Sequence, residues 1–229
     1  MPVRDASQTA VIIPVKGLAQ AKLRLSAVLS PAERRRLVLT MAEDVLSVVS
    51  EVSAISDIIV VTPDAEVAAL AADHGAHVLR EEGQGGLNPA LVSGLALARS
   101  RGAGRALVLP ADVPLATAAE IAEVVDSASS GARPQITVVP SRDGAGTNAL
   151  LLAPPDAMQP EFGEGSFVRH VAQAVALGLE FRVLRLLGVA ADIDEPRDLD
   201  VLATARRAER YAFLGAKAGH ALKGQEHKA

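Results

Sequence analysis

Short apolar runs alternate with longer amphipathic stretches along most of the chain. Residues 10–15, 57–61 and 106–109 are short runs rich in Val, Ile, Leu and Ala, which is typical of strands buried on both faces of a parallel sheet. Residues 37–48 instead place apolar side chains every three or four positions, which predicts an amphipathic helix. Strands that alternate with helices favour parallel order with right-handed crossovers, so the pattern predicts an α/β protein.

Local capping residues set the boundaries of several elements. Ser30 and Glu33, with a proline between them, have the order of a capping box and predict a helix over residues 31–49. Residues 62–64 begin a second helix, which ends at residues 74–75. Further helices are predicted over residues 88–101, 117–129, 166–177 and 196–209, and further strands over residues 76–79, 135–140 and 181–186.

The alternation of strands and helices breaks after residue 140. A turn-rich stretch, residues 141–148, joins the apolar runs 136–139 and 149–152, which predicts a hairpin and therefore a mixed sheet. No linker composition interrupts the earlier part of the chain, so we predict one domain over residues 1–209. Residues 210–229 carry polar Lys and His positions, and we expect a disordered C-terminal tail there.

Composition excludes several classes of protein. The chain has 229 residues, of which 49% are apolar and 2% aromatic, so the core must be built from aliphatic side chains. The absence of cysteine excludes a disulfide framework and a thiolate nucleophile. A net charge of −4 argues against a nucleic-acid partner. No apolar run reaches membrane-spanning length and the first residues lack the apolar core of a signal peptide, so we expect a cytoplasmic protein without a membrane partner.

Acidic side chains follow two of the predicted strands. Asp112 comes just after the run 106–109 and lies between two prolines. Open α/β sheets place their chemistry at the carboxyl ends of such strands, although a lone Asp there is more often a turn cap. A second acidic cluster, Asp192 and Asp194, follows a later apolar stretch. Together these carboxylates could hold one Mg²⁺, because that ion takes oxygen ligands and shares them with substrate phosphates.

Three cations follow the first predicted strand within nine residues: Lys16, Lys22 and Arg24. In isolation such a run is a solvated surface. At the same sheet edge as the carboxylates, it favours binding of a triphosphate, whose charge Lys and Arg can neutralise.

Two further stretches have a structural and a functional interpretation. The glycine-rich residues 80–88, which end at Asn88, are equally a flexible surface loop or a loop that contacts a nucleotide base. Ser166 is expected to be the N-cap of the helix 166–177, whose free N–H groups make an anion site. His170 lies on the same helix face, where it could meet an anion or pack in the core.

Several motifs occur in an order that is similar to one enzyme family. They resemble the guanylyltransferases of coenzyme F420 biosynthesis, which use 2-phospho-L-lactate, phosphoenolpyruvate or 3-phospho-D-glycerate, over roughly residues 10 to 205. The motifs are Pro14-Val-Lys16 with Ala21-Lys22-Leu-Arg24-Leu25, Gly86-Leu-Asn88, Pro110-Ala-Asp112-Val-Pro114, Gly146-Thr147-Asn148, Phe162-Gly163-x-x-Ser166-Phe-x-x-His170, and Asp192-Ile-Asp194-x-Pro196-x-Asp198-Leu199.

The resemblance implies a fold and an activity. The expected fold is a single-domain, glycosyltransferase-A-like nucleotidyltransferase fold, in which helices flank a mostly parallel mixed sheet. The expected reaction is transfer of GMP from GTP to a small phosphorylated C3 acid, with release of pyrophosphate. GTP and the acid are the expected partners, and the sequence leaves the assembly open, with a homodimer as one option.

The resemblance also implies roles for particular residues. Asp112, Asp192 and Asp194 would hold Mg²⁺, and Asp112 and Lys22 would be catalytic. Thr147, Gly163 and Ser166 would bind the acid; Lys16, Lys22 and Arg24 would bind the triphosphate; and Asn88 would contact guanosine. Leu23 departs from many relatives, which have a small hydroxyl residue there, so one phosphate contact is expected to be absent.

Two alternative functions remain open from the sequence. A molybdenum-cofactor nucleotidyltransferase shares the fold but usually begins with more glycines than Lys16-Gly17 offers. A non-catalytic nucleotide-binding regulator would have no need to gather three carboxylates, because clustered like charges repel. Metal-dependent release of pyrophosphate from GTP distinguishes the enzyme from the regulator.

Overall fold

A computed structural model describes residues 5–80, 86–128 and 133–219. The strands are β1 (Asp5–Pro14), β2 (Ile55–Thr62), β3 (His77–Arg80), β4 (Ala103–Val108), β5 (Gln135–Pro140), β6 (Thr147–Ala153) and β7 (Glu180–Val183). The α-helices are α1 (Pro31–Ser50), α2 (Ala65–Asp73), α3 (Leu87–Ser100), α4 (Ala118–Asp126) and α5 (Ser166–Ala176). Short 3-10 segments cover Leu18–Gln20, Leu23–Leu25, Pro196–Thr204 and Ala208–Gly219.

The strands form one mixed sheet in the order β3-β2-β1-β4-β6-β5-β7. β1 pairs in parallel with β2 and β4, and β2 pairs in parallel with β3. β6 runs antiparallel to both of its neighbours, β4 and β5. The predicted α/β fold and the predicted hairpin between residues 136–139 and 149–152 are therefore confirmed.

This topology gathers several loops at one edge of the sheet. β1, β2, β4 and β5 all run in the same direction, so the loops that follow them leave the sheet on the same side. Because β6 runs the other way, its first residues, Thr147 and Asn148, begin at that side. Segments far apart in sequence therefore meet at the carboxyl edge of the parallel strands.

The sheet is buried on both faces. Along β1, Val11 and Ile13 pack against the layer that contains α1, α2 and α4. Ala10 and Ile12 point to the opposite layer, which contains α3 and α5. This alternation explains why the strand sequences are continuously apolar, since both sets of side chains leave water.

Two of the described α-helices begin with a complete capping box. The Ser30 side chain accepts from the Glu33 main-chain N–H, and the Glu33 side chain accepts from the Ser30 N–H. Thr117 and Glu120 make the same pair at the start of α4. The start of α1 predicted from Ser30 and Glu33 is confirmed, because each partner satisfies a donor that the first helical turn leaves free.

The C-terminal part of the chain differs from the sequence prediction. The helix predicted over residues 196–209 is a shorter 3-10 segment, Pro196–Thr204, and residues 210–219 of the predicted tail belong to a second 3-10 segment. Tyr211 and Leu214 are buried in the core, and the Tyr211 hydroxyl donates to Asp44 Oδ2 at 2.6 Å. Anchoring on α1 orders a segment whose composition alone suggested a tail. The tail residues 220–229 lie outside the described residues.

Across the residues that the structure describes, we find no helix with both the length and the apolar character needed to cross a membrane.

Candidate active site

A cleft of about 1130 Å³ opens at the carboxyl edge of the sheet. Ligand pockets commonly measure roughly 300–1,000 Å³, so this cleft has room for more than one small ligand. All the predicted site residues except Asn88 line the cleft: Lys16, Lys22, Arg24, Asp112, Thr147, Gly163, Ser166, Asp192 and Asp194.

Lys22 lies between two of the predicted carboxylates. Its Nζ atom is 2.6 Å from Asp112 Oδ2 and 2.6 Å from Asp194 Oδ1, and its side chain is 10% exposed. Burial opposes the charged ammonium, but the two carboxylates outweigh burial, so the pKa of Lys22 is raised above its ordinary value. Asp112 and Asp194 therefore converge on a single cation-sized position.

The backbone of Lys22 is also unusual. Its φ of +50° is the only positive φ of a non-glycine residue in the described part of the chain. Left-handed conformations are costly for L-residues and persist where the surroundings fix them. The two ion pairs of Lys22 supply that restraint, since they hold the side chain inside the cleft.

Asp192 lies on the same wall and is held differently. Its Oδ1 accepts from Asn148 Nδ2 at 3.0 Å. The next residue, Ile193, is fully buried and donates its N–H to the Asp112 main-chain oxygen at 3.0 Å. Asp192 and Asp194 therefore face the cleft while Ile193 faces the core. Burial, and then the charges of Asp112 and Asp194, raise the pKa of Asp192.

The predicted three-carboxylate metal site is not formed by the side chains alone. Among the described residues, no group of three acidic, histidine or cysteine side chains could hold a metal ion by itself. In this geometry the Lys22 ammonium lies between Asp112 and Asp194 and pairs with both. The donor set nevertheless fits Mg²⁺, which uses one or two carboxylates together with waters and substrate phosphates.

The remaining predicted cations are more exposed than Lys22. Lys16 is exposed, and the side chain of Arg24 is 73% exposed, 3.8 Å from Glu195 Oε1. Exposed pairs of this length are weak, so both cations remain available to an anion. Arg142 and Arg197 also line the cleft, although the sequence analysis did not select them.

A glycine loop, residues 161–165, forms the wall before α5. Gly165, with a φ of +69°, is the N-cap of α5 and makes no side-chain cap bond. The prediction that Ser166 is the N-cap is therefore wrong, because glycine adopts the left-handed turn and Ser166 becomes the first helical residue. The Ser166 N–H donates to the Gly163 oxygen at 3.1 Å, and Ser166 is buried at the cleft wall.

Asn88 has a different role from the predicted one. Its Oδ1 accepts from the Phe162 N–H at 2.8 Å, and its Nδ2 donates to the Phe162 oxygen at 3.1 Å. Both ends of the amide are thus used to hold the glycine loop, and Asn88 does not line the cleft. The other part of the predicted base-binding loop, residues 81–85, lies outside the described residues.

His170 packs in the core and does not reach the cleft. It is 0% exposed, and its Nδ1 lies 2.9 Å from Thr147 Oγ1. Burial first, and the charge of Arg169 second, lower the pKa of His170 to about 4. Its ring is therefore neutral at physiological pH.

Sequence reasoning missed two residues that organise the acidic wall. Asn148 connects β6 to Asp192 and also donates to the Val189 oxygen at 3.1 Å. Asp198 Oδ2 accepts from the Asp194 N–H at 3.0 Å, so it fixes the main chain beside the carboxylate. Asn148 lies in the motif Gly146-Thr147-Asn148 and Asp198 in the stretch from Asp192 to Leu199. These motifs are the feature of the sequence from which both residues could have been identified.

A second groove, of about 630 Å³, lies between α1 and α2. In this groove the Arg35 and Glu66 side chains form an ion pair with each other, so neither is free to bind a charged ligand.

Comparison with known proteins gives a consistent result. The family model for guanylyl transferases that are CofC like matches residues 9–215. Over 197 residues the chain is 45% identical to the phosphoenolpyruvate guanylyltransferase of Sphaerobacter thermophilus, with 85% of this chain and 92% of that protein covered. Over 192 residues it is 33% identical to the 2-phospho-L-lactate guanylyltransferase of Methanothermobacter thermautotrophicus, with 84% and 82% covered.

Among solved structures, a nucleotidyl transferase from Methanothermobacter thermautotrophicus superposes with a TM-score of 0.67 at 18% identity. The superposition covers 90% of this chain and 99% of that chain. The two chains therefore share a nucleotidyltransferase-like fold.

Proposed function

The chain belongs to the family of CofC-like guanylyl transferases, and from that membership and the cleft we propose that it transfers GMP from GTP to phosphoenolpyruvate. The products would be pyrophosphate and a guanosine diphospho-acid, made for coenzyme F420 biosynthesis. The single observation that carries the proposal is the convergence of Lys22, Asp112 and Asp194 in a cleft large enough for two ligands.

The cleft carries cations that can pair with the anionic substrates, beside the carboxylates that would hold Mg²⁺. A nucleoside triphosphate and a phosphorylated acid bring many negative charges into one site. Lys16, Arg24, Arg142 and Arg197 line the cleft around Lys22 and can offset those charges. In the described geometry the Lys22 ammonium neutralises part of the negative charge of Asp112 and Asp194.

The proposed reaction needs positioning more than a protein nucleophile. A phosphate oxygen of the acid attacks the α-phosphorus of GTP; a new P–O bond forms as the bond to the β-phosphate oxygen breaks, and pyrophosphate leaves. A phosphate monoester has a second pKa of about 6, so it is already a dianion at neutral pH and needs no general base. His170 is buried behind the cleft wall, so it is not placed to act as a general base.

The protein's part is to hold the reacting groups in line and to offset charge. Lys22 would contact the triphosphate. An incoming phosphate would compete with Asp112 and Asp194 for the Lys22 ammonium. Mg²⁺, held by Asp112 and Asp194 beside Asp192, would supply charge neutralisation at the α-phosphate. Lys16 and Arg24 would contact the outer phosphates from the exposed end of the cleft.

Phosphoenolpyruvate is the proposed acid because of the relatives. The relative at 45% identity is named for phosphoenolpyruvate, whereas the one named for 2-phospho-L-lactate is 33% identical. The acid would lie against Thr147, Gly163 and Ser166, which form one wall of the cleft next to the glycine loop. 3-Phospho-D-glycerate differs from it by few atoms and serves as a test substrate.

The test is incubation of the full chain with Mg²⁺, one nucleotide and one acid, followed by mass detection of the product. We expect a guanosine diphospho-acid with GTP, the fastest turnover with phosphoenolpyruvate, and little product with ATP, since a site matched to guanine leaves polar groups unpaired with adenine. Equal rates with GTP and ATP would contradict the choice of base. GTP binding without pyrophosphate release would favour the regulatory alternative instead.

A further inference from the structure

A buried histidine connects two walls of the cleft from behind. His170 packs edge-on against Phe162, with ring centroids 5.0 Å apart and an interplanar angle of 68°. Each ring nitrogen has one polar partner: Nδ1 lies 2.9 Å from Thr147 Oγ1, and Nε2 lies 2.9 Å from the Glu161 main-chain nitrogen. The ring therefore links the start of β6 to the glycine loop.

The Glu161 contact determines which ring nitrogen carries the proton. A main-chain N–H can only donate, so His170 Nε2 must accept and must be unprotonated. A neutral imidazole then has its proton on Nδ1. The Nδ1–H group consequently donates to Thr147 Oγ1, and the direction of this hydrogen bond is fixed by the main chain rather than by the hydroxyl.

This direction has a consequence for Thr147. Its hydroxyl accepts from His170, so its own hydrogen is left to donate elsewhere, and Thr147 lines the cleft. With the opposite tautomer, the hydroxyl would donate to the ring and present only lone pairs to the cleft. Lone pairs would repel an anionic oxygen, whereas the observed arrangement presents a donor to it.

We infer that His170 is a positioning residue that makes Thr147 a donor toward an anionic oxygen of the acid substrate. The inference rests on the proposed function for the identity of the acid, but the polarity of the Thr147 hydroxyl stands on the contacts of His170 alone. His170 does not contact the acid. It acts through Thr147, and through the Glu161 N–H it also holds the glycine loop that forms the neighbouring wall.

Two substitutions of His170 separate its contacts. In His170→Asn the side-chain amide nitrogen can take the place of Nδ1 and donate to Thr147. In His170→Gln the amide oxygen can take the place of Nε2 and accept from Glu161, while no donor faces Thr147. We expect His170→Gln to raise the KM for phosphoenolpyruvate roughly tenfold, the loss typical of one hydrogen bond to a charged group. The KM for GTP should change little, and His170→Asn should restore most of the loss.

The same pair of variants is then compared in a Thr147→Val background. Valine keeps the shape of threonine but has no hydroxyl, so the difference between His170→Gln and His170→Asn should disappear there. His77→Gln is the matched control, because His77 is exposed on β3 and should leave the KM for the acid unchanged.

A spectroscopic readout is independent of turnover. Nitrogen-15 NMR of the histidine-labelled full chain distinguishes protonated from unprotonated ring nitrogens, and loss of signals in His170→Gln assigns one of the five histidines to this position. At neutral pH we expect an unprotonated Nε2 and a protonated Nδ1.

Each outcome decides the inference. The expected tautomer with a selective rise in the KM for phosphoenolpyruvate supports it. An Nε2–H tautomer, an equal loss in His170→Asn and His170→Gln, or a difference that persists with Thr147→Val overturns it. If the wild type transfers GMP to no acid, the proposed function fails, and the tautomer together with calorimetric binding of phosphoenolpyruvate to the same variants decides the role of His170.

Discussion

Lys22 shows how one residue can combine unfavourable features. Its backbone is left-handed, its ammonium is largely buried, and both costs are offset by the two carboxylates at 2.6 Å. Removing one partner of such an arrangement leaves the other charges poorly matched. At the scale of the residue, the acidic side chains and Lys22 therefore act as a unit, and each should be tested with the others present.

The first prediction concerns Asp112. We expect Asp112→Asn to lower kcat by roughly two orders of magnitude or more, because an amide neither neutralises Lys22 nor offers a charged ligand to Mg²⁺. Pyrophosphate release measures the rate, and the thermal midpoint checks the fold. Asp73→Asn, at the exposed end of α2, is the matched control and should keep full activity. Full activity of Asp112→Asn in Mg²⁺ would contradict the assignment.

The second prediction concerns Ser166. Because Gly165 and not Ser166 is the N-cap, Ser166→Ala should leave the stability of α5 nearly unchanged. We expect the KM for the acid to rise severalfold, by roughly the loss of one hydrogen bond, while the KM for GTP changes little. Steady-state kinetics with each substrate varied in turn gives both values. A rise in the KM for GTP instead would place the nucleotide at this helix.

At the scale of elements, the C-terminal 3-10 segment Ala208–Gly219 completes the fold. Arg210 forms ion pairs with Asp44 and Glu43 on α1, and the buried Tyr211 donates to Asp44. Burial, and then the hydrogen bond to Asp44, raise the pKa of Tyr211 above its ordinary value. The folded state therefore favours the neutral phenol. The contribution of Tyr211 to the stability of the fold is present below about pH 10, the pKa of tyrosine in the unfolded chain, and is lost as the pH rises above that value.

The third prediction follows from this contact. Tyr211 is the only tyrosine and the chain has no tryptophan, so phenolate absorbance reports on this position alone. We expect phenolate to appear at alkaline pH only together with loss of circular dichroism, because the ring ionises once the chain unfolds. Tyr211→Phe should cost about 1–3 kcal/mol of unfolding free energy, since buried Asp44 loses a donor. Free ionisation near pH 10 with the fold intact would show that the segment is undocked.

The elements that could be predicted are those whose causes lie close together in sequence. Ser30 and Glu33 are three residues apart, and the hairpin strands are joined by one turn, so local patterns sufficed. The N-cap of α5 was misplaced because Ser166 has the right chemistry, but Gly165 has the conformational freedom. The ordered segment after residue 208 could not be predicted, because its partner Asp44 is 167 positions away.

The candidate site shows the same division. The acidic residues and cations were selected because strand ends meet at one edge of a parallel sheet. The insertion of Lys22 between Asp112 and Asp194, and the use of Asn88 by Phe162, depend on side-chain packing that no local pattern encodes. Arg142 was missed for the same reason, since only the fold brings the turn after β5 to the cleft.

At the scale of the whole molecule, the cleft connects both halves of the sheet. β1 and β4 contribute the loops with Lys22 and Asp112, whereas β6 contributes Thr147 and Asn148. A ligand that contacts both halves binds the folded chain and not the unfolded one, so binding must raise the stability of the entire domain.

The fourth prediction is a test of that linkage. Mg²⁺ with GTP should raise the thermal midpoint more than GTP alone, because the triphosphate and the carboxylates then share a cation. At a ligand concentration about one hundred times the Kd, the expected gain is about 2.7 kcal/mol. Differential scanning fluorimetry measures the shift, with Asp112→Asn as the comparison that should lose the effect of Mg²⁺. Equal shifts with and without Mg²⁺ would argue against a metal at these carboxylates.

The contact between Lys22 and Asp194 spans 172 positions. On the ribosome the chain emerges from its amino end, and a domain generally folds as a unit. β1 to β4 emerge first, but a nascent chain has Lys22 with only Asp112 as its partner until the last acidic loop has left the exit tunnel. The cleft is therefore completed near the end of translation, and we expect a protein cut short before Asp192 to lack a competent cleft even though its first four strands are present.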